Sequence, residues 1–537
     1  MSVRNGGQLV VESLAALDVR MVFGVPGVHA LSLWEGLRRL GMKAVVTRTE
    51  LAAGFAADGY ARSSGQTGVL FLSTGPGALN SLTAIMEAAR AHVPVLAVTS
   101  QVPRAVLGRG RGYLHELSDQ LACFAPLTKV ALRAETAESV PGTLAAAWQA
   151  ARTPPAGPVV VEIPVDVLMA ETRVAALDAG AAEPPPPPRP TARAVGEVVE
   201  LLAHAERPVI WAGGGALRAG AGGELRQLAE RLDAPVALTY MGKGALGSDH
   251  PLCLGSTCDD RAYQEVIEEA DVLLCLGTEL GAETTGQWSL KPTGRLVQVD
   301  AAPARMGATY PAVPVVADVR EFLRAVLAVS ETALPSRPGG AGQERVARVR
   351  ARVRDGLERQ GRQAELSILR AIDDALGSTG IGAFDMTIAG YWAAAHLPVR
   401  QPDQFLYPLG SGTLGYALPA ALGAHMAHPD RRVLAVVGDG GIHYALGELA
   451  TMGQTGARVT LLIVDDGAYG ILREYQQESF GATFATSLRQ PAWRDLATAF
   501  GLPVRVSTPA DLAEDLRAEG PNVVVLPAQL VSAGPTP

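Results

Sequence analysis

VLAVVGDGGIHYALGELATMGQTGARVTLLIVDDGAYGIL, residues 433–472, is the stretch from which the fold can be read. The apolar runs Val433–Val437 and Val459–Val464 predict buried strands, each ending in acidic and Gly residues. Between them Leu446, Leu449, Ala450 and Gly453 recur at helical spacing, which predicts a helix covering one face of a sheet. A strand–helix–strand unit of this length makes a right-handed parallel crossover. Both strands then finish at one edge of the sheet, so Asp439 and Asp466 are expected side by side there. That edge is where open α/β sheets bind ligands. Gly438, Gly440 and Gly441 permit close backbone approach, and the helix start after them offers free N–H groups to an anion. Two carboxylates beside an anion site call for a cation between them and the ligand. Mg2+ bridging to a diphosphate meets that need, because it takes oxygen ligands from carboxylates and phosphates together.

The segment resembles the GDG…NN signature of thiamine diphosphate enzymes, with Asp465-Asp466 in place of the usual Asn-Asn. The resemblance implies thiamine diphosphate and Mg2+ as cofactors, with Asp439, the Asp466 side chain and the Ala468 carbonyl as metal ligands. Gly438, Gly440 and Gly441 then meet the diphosphate, and Ile471 packs against it. A carboxylate is also a hard oxygen ligand, so metal binding is expected to survive the exchange of Asn for Asp.

Composition agrees with a large α/β protein. The chain has 537 residues, room for three or four domains, and is 48% hydrophobic with few aromatics. A net charge of −8 with mixed signs argues against a nucleic-acid surface. The start MSVRNGGQLVVESLAAL lacks a basic segment followed by an apolar one, so no signal peptide is expected, and no apolar run is long enough for a membrane span. Cys123, Cys253, Cys258 and Cys275 show no C-x-x-C spacing and are expected as free thiols in a reducing cytoplasm.

Residues 1–175 alternate helix and strand patterns, with strands expected at Met21–Val25, Ala44–Thr47, Val69–Ser73 and Val95–Thr99, and Val159–Ile163 closing the sheet. Helices are expected over Leu51–Arg62 and Ala78–Ala91. Glu50 stands between a strand and an Ala-rich helix, where a carboxylate is often only a partner for the helix dipole. The surrounding TRTELAAGFAADGYAR resembles the pyrimidine-binding domain of the same family, which implies that Glu50 binds the aminopyrimidine N1′ as a buried acid of raised pKa and is catalytic. Thr74-Gly75-Pro76-Gly77-Ala78-Leu79-Asn80 is the family's second N-terminal signature, with Thr74, Gly75 and Asn80 implied against the cofactor. The loop GRGRGYLHELSDQ (108–120) carries His115, a solvated histidine on spacing alone and by resemblance the second catalytic group, with Glu116 orienting it. Val28 and His29, after the turn at Gly24–Gly27, are weaker candidates for the same pocket.

PPPPPRP from Pro184 is a stiff linker, and residues 190–332 form a middle α/β domain with Gly213-Gly214-Gly215 after the strand Val209–Trp211. FAD, which some relatives bind in this domain, is not expected, because Thr278–Gly281 reads TELG where they carry an Arg-Phe-Asp-Asp-Arg-like segment. After a linker at Leu334–Gln343 and a charged surface helix at Arg345–Arg362, the third domain spans 364–537. Leu496–Val506 and Asn522–Leu526 are expected to complete its sheet, and the tail SAGPTP to fray. Its motif YPLGSGTLG (407–415) implies that Gly412 offers a carbonyl to the cofactor and that Leu414 props its bend. The expected fold class is therefore α/β, three doubly wound parallel-sheet domains of the thiamine diphosphate enzyme type.

The family resemblance covers all three domains and implies a decarboxylase acting on a small 2-oxo acid through a C2 ylide and an enamine. It also implies a homodimer or homotetramer in which Glu50 serves a cofactor held by another subunit's Asp439. The residues typical of pyruvate decarboxylases are absent: Val28, Leu114-His115 and Leu472 stand in their places. An acetolactate synthase often has Lys in the segment that here reads Ile163-Pro164-Val165-Asp166-Val167. FGVPGVHAL, LHE..DQ, AGGGAL and the TLGYALP helix entrance are most similar to 2-ketoarginine (5-guanidino-2-oxopentanoate) decarboxylases. A guanidinium needs an acidic or aromatic partner, which sequence alone does not place. Two other readings stay open, an acetolactate synthase-type carboligase and a non-catalytic homologue that binds the cofactor, although Glu50 argues against the second.

Overall fold

A computed structural model describes residues 4–334 and 336–532; the end of the tail, 533–537, lies outside the described residues. Three six-stranded sheets follow one another along the chain, and every strand in them is parallel to its neighbours. The first runs in the order Lys43–Val46, Met21–Gly24, Gly68–Leu72, Val95–Gln101, Val159–Pro164, Ala131–Arg133. The third runs Phe405–Leu406, Ile381–Phe384, Val433–Gly438, Val459–Asp465, Asn522–Pro527, Val504–Val506. Numbered within each sheet, both read 2-1-3-4-6-5, so the first and third domains are two copies of one design. The middle sheet reads 3-2-1-4-5-6, from Cys253–Gly255 to Val313–Val316, the order of dinucleotide-binding folds.

Several expectations need correction. Val159–Pro164 does not close the first sheet; the strand Ala131–Arg133 lies outside it. Residues 78–91 are two helices, Pro76–Asn80 and Leu82–Arg90, interrupted where the Ser81 hydroxyl donates back to the Ala78 carbonyl at 2.7 Å. Leu496–Val506 is not a single strand: it begins inside the helix Trp493–Ala499, and only Val504–Val506 joins the sheet. The charged helix Ala341–Arg359 does not merely ride on the surface. Val346, Val349, Val353 and Leu357 recur at helical spacing and enter the core shared by the middle and third domains.

The first and third domains meet through the helices Glu50–Ser64 and Ala417–Ala427, which approach so closely that glycine is required. A Cβ on Gly423 would stand 1.9 Å from the Ala56 carbonyl oxygen, and one on Gly59 would stand 2.2 Å from that of Ala420. At the same junction Arg62 is buried between Asp58 (2.7 Å) and Glu87 (2.8 Å). Removing the Arg62 charge would leave two buried carboxylates without a counterion, a loss of about 3–5 kcal/mol. Glu87 also accepts from Gly410 N, Ser411 N and the Ser411 hydroxyl, so this ionic cluster fixes the YPLGSGTLG turn. Among the described residues no helix is long and apolar enough to cross a membrane, and all four cysteines are unpaired.

Candidate active site

In the third sheet the chain order reverses between Ile381–Phe384 and Val433–Gly438, and the C-terminal ends of these strands open into a crevice. Pairing of Gly438 with Val464 brings the two acidic turns level, as expected from the crossover. A cavity of about 250 Å³ there is lined by Gly438, Asp439, Gly440, Gly441, Asp466 and Ala468, with Gly412, Leu414 and Ile471 on its other walls. The helix after the Gly-rich turn is shorter than expected, a single turn at Asp439–Ile442 followed by Glu448–Thr455.

Asp439 is 1 % exposed, and burial together with the charges of Asp466 and Asp465 pushes its carboxyl up to about 7. Asp466 accepts from Ala468 N (3.2 Å) and is ion-paired with Arg473 at 2.9 Å. Asp465 turns away, accepting from Gly467 N and from the Trp493 indole at 2.9 Å. Asp465 is therefore held by hydrogen bonds away from the cavity, and Arg473 offsets the charge of Asp466. Ala468 lines the cavity, and its carbonyl accepts no hydrogen bond among the described residues. Two crowded carboxylates and a free carbonyl form a hard-oxygen donor set for Mg2+, and the crowding that raises Asp439 is what a cation would relieve. The donor set fits the metal, and the Gly-walled cavity above it fits a diphosphate.

Asp385, which sequence reasoning missed, organises the opposite wall. It is fully buried, accepts from Gly415 N (3.0 Å), Tyr416 N (2.7 Å) and Ala417 N (3.1 Å), and burial holds its carboxyl up at about 6. It thereby ties down the turn that carries Gly412, at φ +67°, and Leu414, which is half-buried against the cavity rather than sealed in the core. A signal existed: Asp385 ends the apolar run Ile381–Phe384 much as Asp439 ends its own strand.

The N-terminal candidates assemble separately. Glu50 opens its helix, half-buried, with Asn80 Nδ2 donating to Oε2 at 3.1 Å while Oε1 accepts no hydrogen bond among the described residues. The expectation of a buried Glu50 is not met within one chain, where the residue is only half-buried. Gly75, at φ +65°, packs on His115, and its N–H donates to Gln120 Oε1 at 2.7 Å. Thr74 bridges His29 Nδ1 (2.9 Å) and Ser100 (3.0 Å), so its hydroxyl positions His29. The His29 and His115 rings lie 5.4 Å apart, and burial, with His115 adding to it, lowers the His29 pKa. His115 Nδ1 is buried without a hydrogen-bond partner among the described residues. Glu116 does not orient His115; its carboxylate accepts from Gly110 N (2.8 Å) and Tyr113 N (3.1 Å) and closes its own loop. Val28 is 76% exposed beside this group. No residue of the first domain lines the Asp439 cavity, so within one chain the N-terminal candidates and that cavity are separate.

The triple glycine of the middle domain is explained by packing. A Cβ on Gly213 would stand 2.5 Å from the Gly277 carbonyl oxygen, and one on Gly215 would stand 2.6 Å from Gly277 Cα.

The doubled 2-1-3-4-6-5 design, the Gly-Asp-Gly turn level with a second acidic turn and the helix-opening Glu are the features that the resemblance to thiamine diphosphate enzymes implied. Comparison agrees: residues 4–123 match the thiamine pyrophosphate enzyme N-terminal TPP binding domain, 195–326 the central domain and 385–525 the C-terminal TPP binding domain. The chain is 39% identical over 522 residues to the probable 2-ketoarginine decarboxylase AruI of Pseudomonas aeruginosa, covering 96% of this chain and 91% of that protein. It is 32% identical over 534 residues to a probable acetolactate synthase large subunit of Methanocaldococcus jannaschii, covering 96% and 89%. With the acetolactate synthase isozyme 1 large subunit of Escherichia coli it shares 29% identity over 547 residues, covering 97% and 93%. The chain belongs to the thiamine diphosphate-dependent enzyme family that contains these decarboxylases and acetolactate synthases.

Proposed function

We propose that this protein is a thiamine diphosphate- and Mg2+-dependent 2-oxo-acid decarboxylase. The observation that carries the reading is the Asp439–Asp466 pair with the free Ala468 carbonyl in the crevice of the third domain. In this reading Asp439, Asp466 and the Ala468 carbonyl hold Mg2+, and Gly438, Gly440 and Gly441 admit the diphosphate. When bound, thiamine diphosphate supplies a nucleophilic carbon and an electron sink for loss of CO2 from a 2-oxo acid.

The chain's own residues bind, orient and move protons. Asn80 fixes one oxygen of Glu50 and leaves Oε1 free to exchange a proton with the pyrimidine. The Gly412 carbonyl and the Leu414 side chain would hold the cofactor's ring system, with Ile471 beside it. Burial lowers the His29 pKa and Thr74 steers its ring, while the neighbouring His115 is the residue that would deliver a proton to the product. The half-sites combine between two copies of the chain, in a homodimer or homotetramer. The exposed Val28 and Leu114 of one half and the exposed Leu472 and Phe480 of the other fit that closure. Four unpaired cysteines suit a reducing cytoplasm.

A second reading is a carboligase of acetolactate synthase type, which similarity to the synthases favours. The test mixes purified protein, cofactor and Mg2+ with pyruvate and with branched-chain, aromatic and guanidino 2-oxo acids, each with and without an aldehyde acceptor. CO2 release and product NMR are followed. CO2 with free aldehyde is the expected result. A 2-hydroxyketone or acetohydroxy acid would establish the carboligase, and the absence of CO2 from every acid would refute both readings.

A further inference from the structure

Asp439, Asp465 and Asp466 meet at the ends of two neighbouring strands, and a single cation answers them. Arg473 Nη2 donates to Asp466 Oδ2 at 2.9 Å, the only ion pair that any of the three forms among the described residues. Proton transfer and cofactor binding, as assigned above, give this arginine no task. It stands at the end of the first turn of the helix Gly470–Phe480. A cation there opposes the helix dipole, so helix stability does not account for it.

Asp466 is fixed on both oxygens. Oδ1 accepts from Ala468 N at 3.2 Å. Oδ2 accepts from Arg473, and the backbone presses on it at Gly470, where a Cβ would stand 2.5 Å away. The Asp466 side chain is 11% exposed and that of Arg473 32%, so solvent screens this pair less than an open surface contact. Asp439 has a neutral partner instead, the Gln490 side-chain amide, which donates to its Oδ2.

The walls of the cavity are a second, independent observation. No Lys, Arg or His lines it, and Arg473 itself is not among its lining residues, so the guanidinium reaches Asp466 without entering that space. Among the described residues no group of three or more His, Cys, Asp or Glu side chains is placed to hold a metal ion. A divalent ion between Asp439 and Asp466 must therefore take further oxygens from the diphosphate and from water. With no cation on the walls, that ion alone balances the charge of the diphosphate. An unpaired carboxylate at 466 would act in two opposing ways: it would draw the metal in before the cofactor, then repel the diphosphate.

We propose that Arg473 is a positioning residue that neutralises Asp466 from outside the cavity and so makes divalent-cation binding wait for the diphosphate. The proposal rests on the reading of Asp439, Asp466 and the Ala468 carbonyl as the Mg2+ site, and it adds how that site is charged. Asp466 keeps a carboxylate oxygen for the metal, while the guanidinium cancels its net charge. The ion alone is held weakly, and the ion with the diphosphate is held tightly.

The experiment measures Mn2+ binding without cofactor by electron paramagnetic resonance, and thiamine diphosphate binding at saturating Mg2+ by calorimetry. Melting temperatures are recorded on the same preparations. Arg473→Met is expected to tighten cofactor-free Mn2+ binding about tenfold and to weaken cofactor binding about tenfold. Adding Asp466→Asn to Arg473→Met is expected to return both constants to within about threefold of wild type. A mere staple for the helix predicts a lower melting temperature, no constant that tightens and no restoration by the second substitution. That result would overturn the proposal, as would wild-type constants in Arg473→Met.

If Arg473→Met does not fold, Arg473→Lys and Arg473→Gln decide the matter. Charge is the operative property, so the Lys variant is expected to keep both wild-type constants and the Gln variant to shift both. The reverse order would overturn the proposal. Asp439→Asn in the same assays separates this proposal from the reading beneath it. Mn2+ and cofactor binding that survive Asp439→Asn would refute the metal site itself. Binding that needs Asp439 but ignores the charge at 473 would refute only the role of Arg473.

Discussion

Glu50→Gln is expected to lower kcat by about 1,000-fold or more while leaving cofactor affinity within a few-fold of wild type. The substitution keeps the shape of the side chain and an oxygen for Asn80 Nδ2 to donate to at Oε2, so the turn at Gly75–Asn80 stays in place. What it removes is the ability of Oε1 to gain and lose a proton. A residue that served only as a dipole partner at its helix start would contribute about 0.3–1 kcal/mol of stability and nothing to the rate. The two roles therefore separate cleanly when melting temperature, cofactor titration and CO2 release are measured on the same preparation. An unchanged rate would remove Glu50 from the catalytic assignment.

Asp439→Asn is expected to act on the other half-site and in the opposite way, by weakening Mg2+ and cofactor binding about 100-fold or more. Asp439 is the one carboxylate of the acidic group that is both buried in the cavity and free of an ion-pair partner. Asp466 has Arg473, and Asp465 has the Trp493 indole. An amide cannot supply the charge that holds a divalent ion against a diphosphate. The fold should tolerate the change, because the buried carboxyl it replaces is already pushed up to about 7 by its neighbours. The free protein is expected to melt no lower than wild type, with the difference confined to Mg2+ and cofactor titrations. Equal affinity in the variant would contradict the metal assignment.

The parts of this site that the sequence made legible are those carried by contiguous motifs. The two level acidic turns followed from two apolar runs and a crossover rule, and they pair at Gly438 and Val464 as that rule requires. Elements without a local signal were missed. Ala131–Arg133 is a three-residue, half-buried edge strand, too short for any periodicity to register. Glu87 lies inside a helix and is recognisable as an anchor only when Arg62 and the turn at Gly410 come to it from elsewhere in the chain. Glu116 was misread for the reverse reason: adjacency to His115 in sequence suggested contact, but His115 takes positive φ and the two side chains part.

The central claim is that the half-site of Glu50 and His115 and the half-site of Asp439 and Asp466 act together across two copies of the chain. Mixing the two inactive variants tests it most directly. If Glu50→Gln and Asp439→Asn chains are dissociated, combined in equal amounts and reassociated, half of the dimers are mixed, and each mixed dimer contains one site with both residues intact. Recovery of about one quarter of wild-type CO2 release is the expected result. A mixture as inactive as either variant alone, despite mixed dimers detected by native mass spectrometry, would contradict the account.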